Sequence, residues 1–367
     1  MAPSVVRVDS PQTAVPTRAA EPGRTRLVAV AAPPLPAAAL QRRARVVLYY
    51  RADGGGAEPP LWEEAVWAKE SLSEALADHP EMAGRLRRRD DGSWEVKLND
   101  AGARFTHATA EASLEEFLAA ADGNEARWEA ALAPWVDVKA DDPDMCALFY
   151  LQVTRFQGDG GYAVGVSCSL MLCDPLSLAR FLLSWAHTHA KMKAQNKLAT
   201  NPLMQYAQYF QRPDAIAVRA LVKTITLDAP ASDAEDSHAA ETALFRSSTG
   251  AKGSPDHRAL ASACIVQARE RLGTGKAPSQ FSMVVVGEGG MSIETCTAAA
   301  KPVNGDGGQY KLEAAQWKDL GLEELVLRDS KPVHVSYSIV TEGAEGLAVV
   351  MPDGAAGNFL VTATFTK

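Results

Sequence analysis

The chain has 367 residues, 47% of them hydrophobic, enough for one large or two mid-sized domains with proper cores. Its formal charge of −8 and its lack of a Lys/Arg stripe argue against a nucleic-acid binder. The one basic knot, Arg85 with Arg87, Arg88 and Arg89, runs straight into Asp90 and Asp91 and reads as a solvated turn.

In chain order, the first 25 residues are polar and Pro-containing and predict a disordered segment. The stretch from Arg26 to Leu40, RLVAVAAPPLPAAAL, has the composition of a signal h-region, but three prolines interrupt it, and it reads as an extended, Pro-rich lead-in. No apolar run approaches the ~18–20 residues of a membrane span, so neither a signal peptide nor a transmembrane segment is expected. RVVLYY (Arg45 to Tyr50) is a β-branched and aromatic strand, broken by DGGGAEPP. From Leu61, the positions Trp62, Ala65, Val66, Leu72, Ala75 and Leu76 follow a helical period, and His79-Pro80 ends that helix. DGSWEVKL reads as a turn into a strand.

Ser113 with Glu116 forms a capping box at the start of a helix whose buried face is Leu114, Phe117, Leu118 and Ala121. ALFYLQVTRF and YAVGVSCSLML are strands joined by a turn at Gln157 to Gly161. Pro175 opens the next helix, with Leu178, Phe181, Leu182 and Trp185 on one face. Leu227 to Thr242 carries almost no large apolar residue and reads as a linker or crossover. Beyond it lie the strand TALFR, the helix HRALASACIVQARERL, the strand FSMVVV and a final set of strands. In that set Val333, Val335, Tyr337 and Ile339 share one face.

The residues themselves offer little chemistry. Cys146, Cys168, Cys173, Cys264 and Cys296 are odd in number and show no ligand spacing, which predicts free, buried thiols in a reducing compartment and argues against zinc. His187 and His189 point to different faces of one helix, and His79 and His257 sit at helix ends. His334 reads as solvent-facing with Ser336 and Ser338, and His107 and His238 fall in irregular segments. No GxGxxG, GxxxxGK[ST] or GxSxG motif is present, and GEGG (Gly287 to Gly290) and GDGG (Gly305 to Gly308) read as turns. On these grounds alone the chain is a mixed α/β protein in two halves.

A set of stretches in order resembles the plant BAHD acyl-CoA-dependent acyltransferases. AKESLSEALADHPEMAGRL (Ala68 to Leu86), VTRFQGDGGYAVGVSCS, TALFR, HRALASACIVQARERL and KPVHVSY carry the resemblance, over about residues 25–367 with a gap. It implies a two-domain, chloramphenicol-acetyltransferase-like α/β fold of mixed sheets with flanking helices. The implied division is a disordered segment 1–25, an N-terminal domain 26–195, a crossover 196–242 and a shortened C-terminal domain 243–367. The shortening is expected between Met291 and Trp317.

Aligned this way, Leu170-Met171-Leu172-Cys173-Asp174 occupies the family's His-x-x-x-Asp positions, so Leu170 stands where the general base belongs. An alkyl group cannot accept the acceptor's proton, and loss of a positioned base costs ~10²–10⁴ in rate. The resemblance makes Asp174 a structural residue held by an arginine, with Arg180 and any arginine of the second domain as candidate partners. The family's Asp-Phe-Gly-Trp-Gly is replaced by Val326-Leu327-Arg328-Asp329-Ser330 before Lys331-Pro332.

The C-terminal region WKDLGLEELVLRDSKPVHVSYSIVTEGAEGLAVVMP and the segment SCSLMLCDPLSLARFLLSWA are similar to the Eceriferum/Glossy cuticular-wax branch. That likeness implies a non-catalytic accessory factor in very-long-chain fatty acyl elongation. Such a factor would be cytoplasmic and peripheral to the endoplasmic reticulum. Its partner would be a membrane-embedded 3-ketoacyl-CoA synthase, with acyl-CoA as substrate or ligand and no tightly bound cofactor or metal. An acyl-CoA-dependent O/N-acyltransferase with an atypical site, and an inactive degenerate copy, stand beside it as alternatives.

Overall fold

The computed structural model describes residues 5–51, 61–121, 125–158, 160–196, 224–226, 240–249, 256–273, 280–287, 289–297, 310–342, 346–354 and 357–366. Two mixed sheets carry the architecture. In chain order the elements are β1 (Val5–Ala14), β2 (Thr25–Val30), α1 (Ala37–Leu40), β3 (Arg43–Tyr50), α2 (Leu61–Asp78), β4 (Arg85–Arg88), β5 (Trp94–Lys97), β6 (Ala103–Ala110), α3 (Leu114–Ala121) and α4 (Glu125–Leu132). Then come β7 (Phe149–Phe156), β8 (Tyr162–Ser169), α5 (Pro175–Ala194), β9 (Thr224–Thr226), β10 (Ala240–Thr249), α6 (His257–Leu272), β11 (Gln280–Gly287), β12 (Gly290–Thr297), β13 (Tyr310–Ala315), β14 (His334–Val340), β15 (Gly346–Pro352) and β16 (Asn358–Thr366).

The first sheet runs β14-β3-β8-β7-β6-β1-β9, with only β6 and β7 parallel. The second runs β13-β10-β16-β15-β11-β12-β2-β5-β4, with β11–β15 and β12–β2 parallel. Strand alternation distributes the core. Ala44, Val46, Leu48 and Tyr50 of β3 belong to the main apolar cluster, while Val47 and Tyr49 belong to a second cluster with Phe117 of α3 and Trp128 of α4. The main cluster also takes Leu72 and Leu76 of α2, Phe181 and Trp185 of α5, and Val284, Leu347 and Val349 of the second sheet. One core therefore joins both sheets. The far face of the second sheet packs on α6 through Leu260, Cys264 and Ile265.

Gly165 shows how closely the layers approach. A Cβ there would lie 2.0 Å from the carbonyl oxygen of Leu132, so any side chain would push α4 off the sheet.

Most expected elements are present at their places. The capping box holds: Ser113 N donates to the Glu116 carboxylate at 2.9 Å and Glu116 N to Ser113 Oγ at 3.1 Å. Two expectations need correction. Residues 5–14 of the segment expected to be disordered form β1, paired with β6 along its length and with β9 at Val5–Arg7. Val6 and Val8 bury there at 0% and 8% exposure, which supplies the apolar gain that polar composition concealed. Pro11 is tolerated because it lies beyond the stretch paired with β9, so its missing N–H leaves that ladder intact.

The division into 26–195 and 243–367 also does not map onto the sheets. β2, β4 and β5 join the second sheet, and β14 crosses back to the edge of the first. Short strands commit to a sheet by tertiary pairing, which local pattern does not encode. The supposed crossover 196–242 lies largely outside the described residues, although β9 and the start of β10 fall within it. Residues 298–309 within the expected shortening, together with the GDGG stretch and His238, also lie outside them.

Candidate functional site

β8 is buried along its whole length and ends at Ser169, one residue before the position of interest. The chain then turns tightly. Leu170 N donates to the Arg42 carbonyl at 2.9 Å, and Leu172 N and Cys173 N both donate to the Ser169 carbonyl, at 2.9 and 3.2 Å. The Ser169 hydroxyl accepts from Met171 N at 3.2 Å. From outside the turn, the Arg26 guanidinium donates to the carbonyls of Met171 (3.3 Å) and Leu172. The turn's polar backbone thus finds its partners in Ser169, Arg42 and Arg26, and its side chains are free to be apolar.

They are apolar. Leu170 is 2% exposed, Met171 2% and Leu172 0%, all within the main cluster that joins the two sheets. A general base must reach the proton it removes at hydrogen-bond distance. At this position the structure offers only methyl and methylene groups.

Asp174 follows as the N-cap of α5, in extended geometry (φ −81°, ψ 165°). One carboxylate oxygen accepts from Ser177 N at 2.9 Å and the other from Ser177 Oγ at 2.6 Å. Pro175 fills the first helical position, where its missing N–H costs nothing. The expected pairing with Arg180 is not made. The Arg180 guanidinium is 3.7 Å from Asp353, which also accepts from Arg246 at 3.1 Å. Arg180 is exposed, while Asp174 is buried and its carboxylate is taken up by Ser177.

Beside the N-terminus of α5, Ala44, Val46, Leu178, Trp317, Leu322 and Tyr337 line an apolar hollow of about 10 Å³, the space of one water at most. Arg42 reaches from the turn to the second sheet, donating to Ser282 Oγ at 2.9 Å. Burial, then the neighbouring Arg45, pushes the Arg43 guanidinium down to about 10.

The stretch Val326 to Ser330, expected from the resemblance at the position of the second motif, forms a tight hairpin turn. Leu327 and Ser330 exchange both backbone hydrogen bonds at 3.0 Å, and Arg328 and Asp329 between them adopt positive φ, 52° and 62°. Two tyrosines of the first sheet hold it. Tyr50 Oη donates to the Leu325 carbonyl and Tyr162 Oη to that of Leu327, each at 3.1 Å, and Arg328 lies over the Tyr162 ring.

Among the described residues, the histidines do not converge on Leu170. His79 packs its edge on Phe181, with Nδ1 3.5 Å from Glu81. His189 is buried against Ser71, with Nδ1 3.0 Å from its hydroxyl, and His187 is exposed. His257 packs on Phe359 at the start of α6. His334 is exposed as expected, but Ser336 and Ser338 turn to the Glu129 carboxylate. His107, expected in an irregular segment, is a buried residue of β6.

Sequence reasoning missed Arg26, Arg42 and Ser177. Only Ser177 had a readable signal, as the third residue after the N-cap Asp174.

Comparison with known proteins adds lineage. The model of the Transferase family matches residues 63–252. Hydroxycinnamoyltransferase 1 of Oryza sativa subsp. japonica is 34% identical over 142 residues, 38% of this chain and 31% of that protein. Protein ECERIFERUM 26-like of Arabidopsis thaliana is 30% identical over 142 residues, 37% of this chain and 32% of that protein. The matched stretches span about a third of those relatives' length. Among solved structures, vinorine synthase is similar at 15% identity, with a TM-score of 0.47 over 99% of this chain and 95% of that one.

Proposed function

The chain belongs to the Transferase family, the BAHD acyltransferases of plants, and from that premise we propose that it is a non-catalytic member, an accessory factor that promotes very-long-chain fatty acyl elongation for cuticular wax. The observation that carries this reading is Leu170, 2% exposed inside the core that joins the two sheets, where the family's base would have to face a substrate. Asp174 fits the same reading, because its carboxylate is spent on capping α5.

The match to Protein ECERIFERUM 26-like supports the wax assignment, as does the resemblance of the C-terminal region to the Eceriferum/Glossy proteins. The partner in this reading is a membrane-embedded 3-ketoacyl-CoA synthase, and acyl-CoA is a ligand of the assembly. Among the described residues no helix is long and apolar enough to cross a membrane. The chain would therefore meet the endoplasmic reticulum through that partner.

Co-expression of the full chain with the condensing enzyme tests this. The proportion of the longest acyl products rises if the reading is right. A profile identical to that of the condensing enzyme alone, with both proteins present, refutes it.

A second reading rests on the hydroxycinnamoyltransferase matches, at 34–36% identity. It makes the chain an acyl-CoA-dependent O/N-acyltransferase with an atypical active site. Release of CoA by the purified chain separates the two.

A further inference from the structure

We infer that Cys168 and Cys173 form a dithiol–disulfide pair that staples the end of β8 to the start of α5 around the turn carrying Leu170.

The two sulfurs are 3.3 Å apart, brought together because Leu172 N and Cys173 N both fold back on the Ser169 carbonyl. A disulfide has S–S of about 2.05 Å, so bonding requires closing by about 1.3 Å. Cys168 lies within β8 and Cys173 precedes the N-cap Asp174, so both ends of the ring are anchored by regular structure. The fold therefore holds each thiol at a high effective concentration for the other, which lowers the entropic cost of closure. Among the described residues, Cys146, Cys264 and Cys296 have no thiol neighbour of this kind.

The oxidant is a small disulfide such as oxidised glutathione. One cysteine thiolate attacks it, forms a mixed disulfide and releases one glutathione thiolate. The second cysteine then attacks the mixed disulfide and releases the other. Two cysteine S–H bonds and one glutathione S–S bond are lost, and one protein S–S bond and two glutathione thiols form.

The pair is guarded kinetically. Cys168 and Cys173 are 0% and 4% exposed. The hydrogen bond with Cys168, then burial, then the charge of Asp174 hold the Cys173 thiol well above the usual range. Exchange is slow on that account, and the staple responds to the equilibrium redox poise more than to brief exposure.

The test is an equilibrium titration of the full chain across reduced-to-oxidised glutathione ratios, in buffer and in urea. After acid quench and alkylation, the tryptic peptide Phe156–Arg180, which contains both cysteines, is read by mass spectrometry. The internal disulfide appears as a peptide two hydrogens lighter that alkylates only after reduction.

The inference predicts that this form persists in the folded chain at ratios at least about tenfold more reducing than in urea. Cys168→Ser and Cys173→Ser should each leave the other cysteine as a thiol or a glutathione adduct. A folded midpoint equal to or more oxidising than the unfolded one overturns the inference. So does pairing of either sulfur with Cys146, Cys264 or Cys296.

Discussion

Replacing Asp174 by Ala and by Asn separates two roles for this carboxylate. In the structure it caps α5, accepting from Ser177 N at 2.9 Å and Ser177 Oγ at 2.6 Å. Ala removes both acceptors. Loss of an N-cap costs about 0.5–2 kcal/mol, and half-buried Ser177 can recover part of the loss through water, so Asp174→Ala should cost about 1–2 kcal/mol. For domains of 150–250 residues that is a fall in Tm of about 2–8 °C. Asn is an N-cap of equal quality. Its amide oxygen can keep the Ser177 N–H, and the Ser177 hydroxyl can reverse and accept from the amide NH₂, so Asp174→Asn should cost about 0.5 kcal/mol or less. Were the carboxylate instead one half of a buried ion pair, removing its charge would cost about 3–5 kcal/mol. Thermal unfolding of the three proteins in one buffer decides the matter. An Asn variant that loses as much as the Ala variant, or more, refutes the capping account.

Three further outcomes follow from the same geometry. Leu170→Ala should destabilise the chain by about 2–5 kcal/mol, as expected for a leucine truncated in a packed core; a loss below about 0.5 kcal/mol in denaturant unfolding would mean that the position faces open space. Asp329→Gly should raise stability by up to about 1 kcal/mol, because φ is 62° there and glycine bears no penalty in that region; a lowered Tm would contradict it. His79 is raised above its ordinary 6.5, first by its hydrogen bond to Glu81. Protonation therefore favours the folded state: the contribution is full below about 6.5 and is lost as pH rises through the folded value. The stability gap between the native chain and His79→Gln should accordingly be present at acid pH and close toward neutrality, as followed by unfolding at a series of pH values.

Much of this architecture could be read from local pattern. The helix expected over HRALASACIVQARERL spans His257 to Leu272, closed in the structure by Asp256 at its N-cap and Gly273 at its C-cap. β8 and α5 are delimited by the mainly apolar run YAVGVSCSLML and by Asp174-Pro175. What stayed hidden depends on partners distant in the chain. β1 reads as polar because only Val6, Val8 and Ala14 need bury once β6 accepts its ladder. β14 returns to β3 across nearly 300 residues, a pairing that no window reports.

At the site, residue type alone shows that the Leu170 side chain can take no proton; that the family's base belongs at this position is what the resemblance implies. The partner of Asp174 was not legible, because the arginine expected six residues further along the helix faces solvent and Ser177 answers the carboxylate instead. Nor could spacing alone show that Cys168 and Cys173, five residues apart, meet at 3.3 Å; that follows from the turn at Ser169.

On the proposed reading, the turn at Leu170 performs no acyl transfer. The most direct measurement is CoA release by the purified full chain, supplied with aliphatic and hydroxycinnamoyl-CoA donors and a panel of alcohol and amine acceptors. The account predicts release at the rate of the acyl-CoA alone. Acceptor-dependent turnover at ordinary enzyme rates of ~1–10³ s⁻¹ would contradict it.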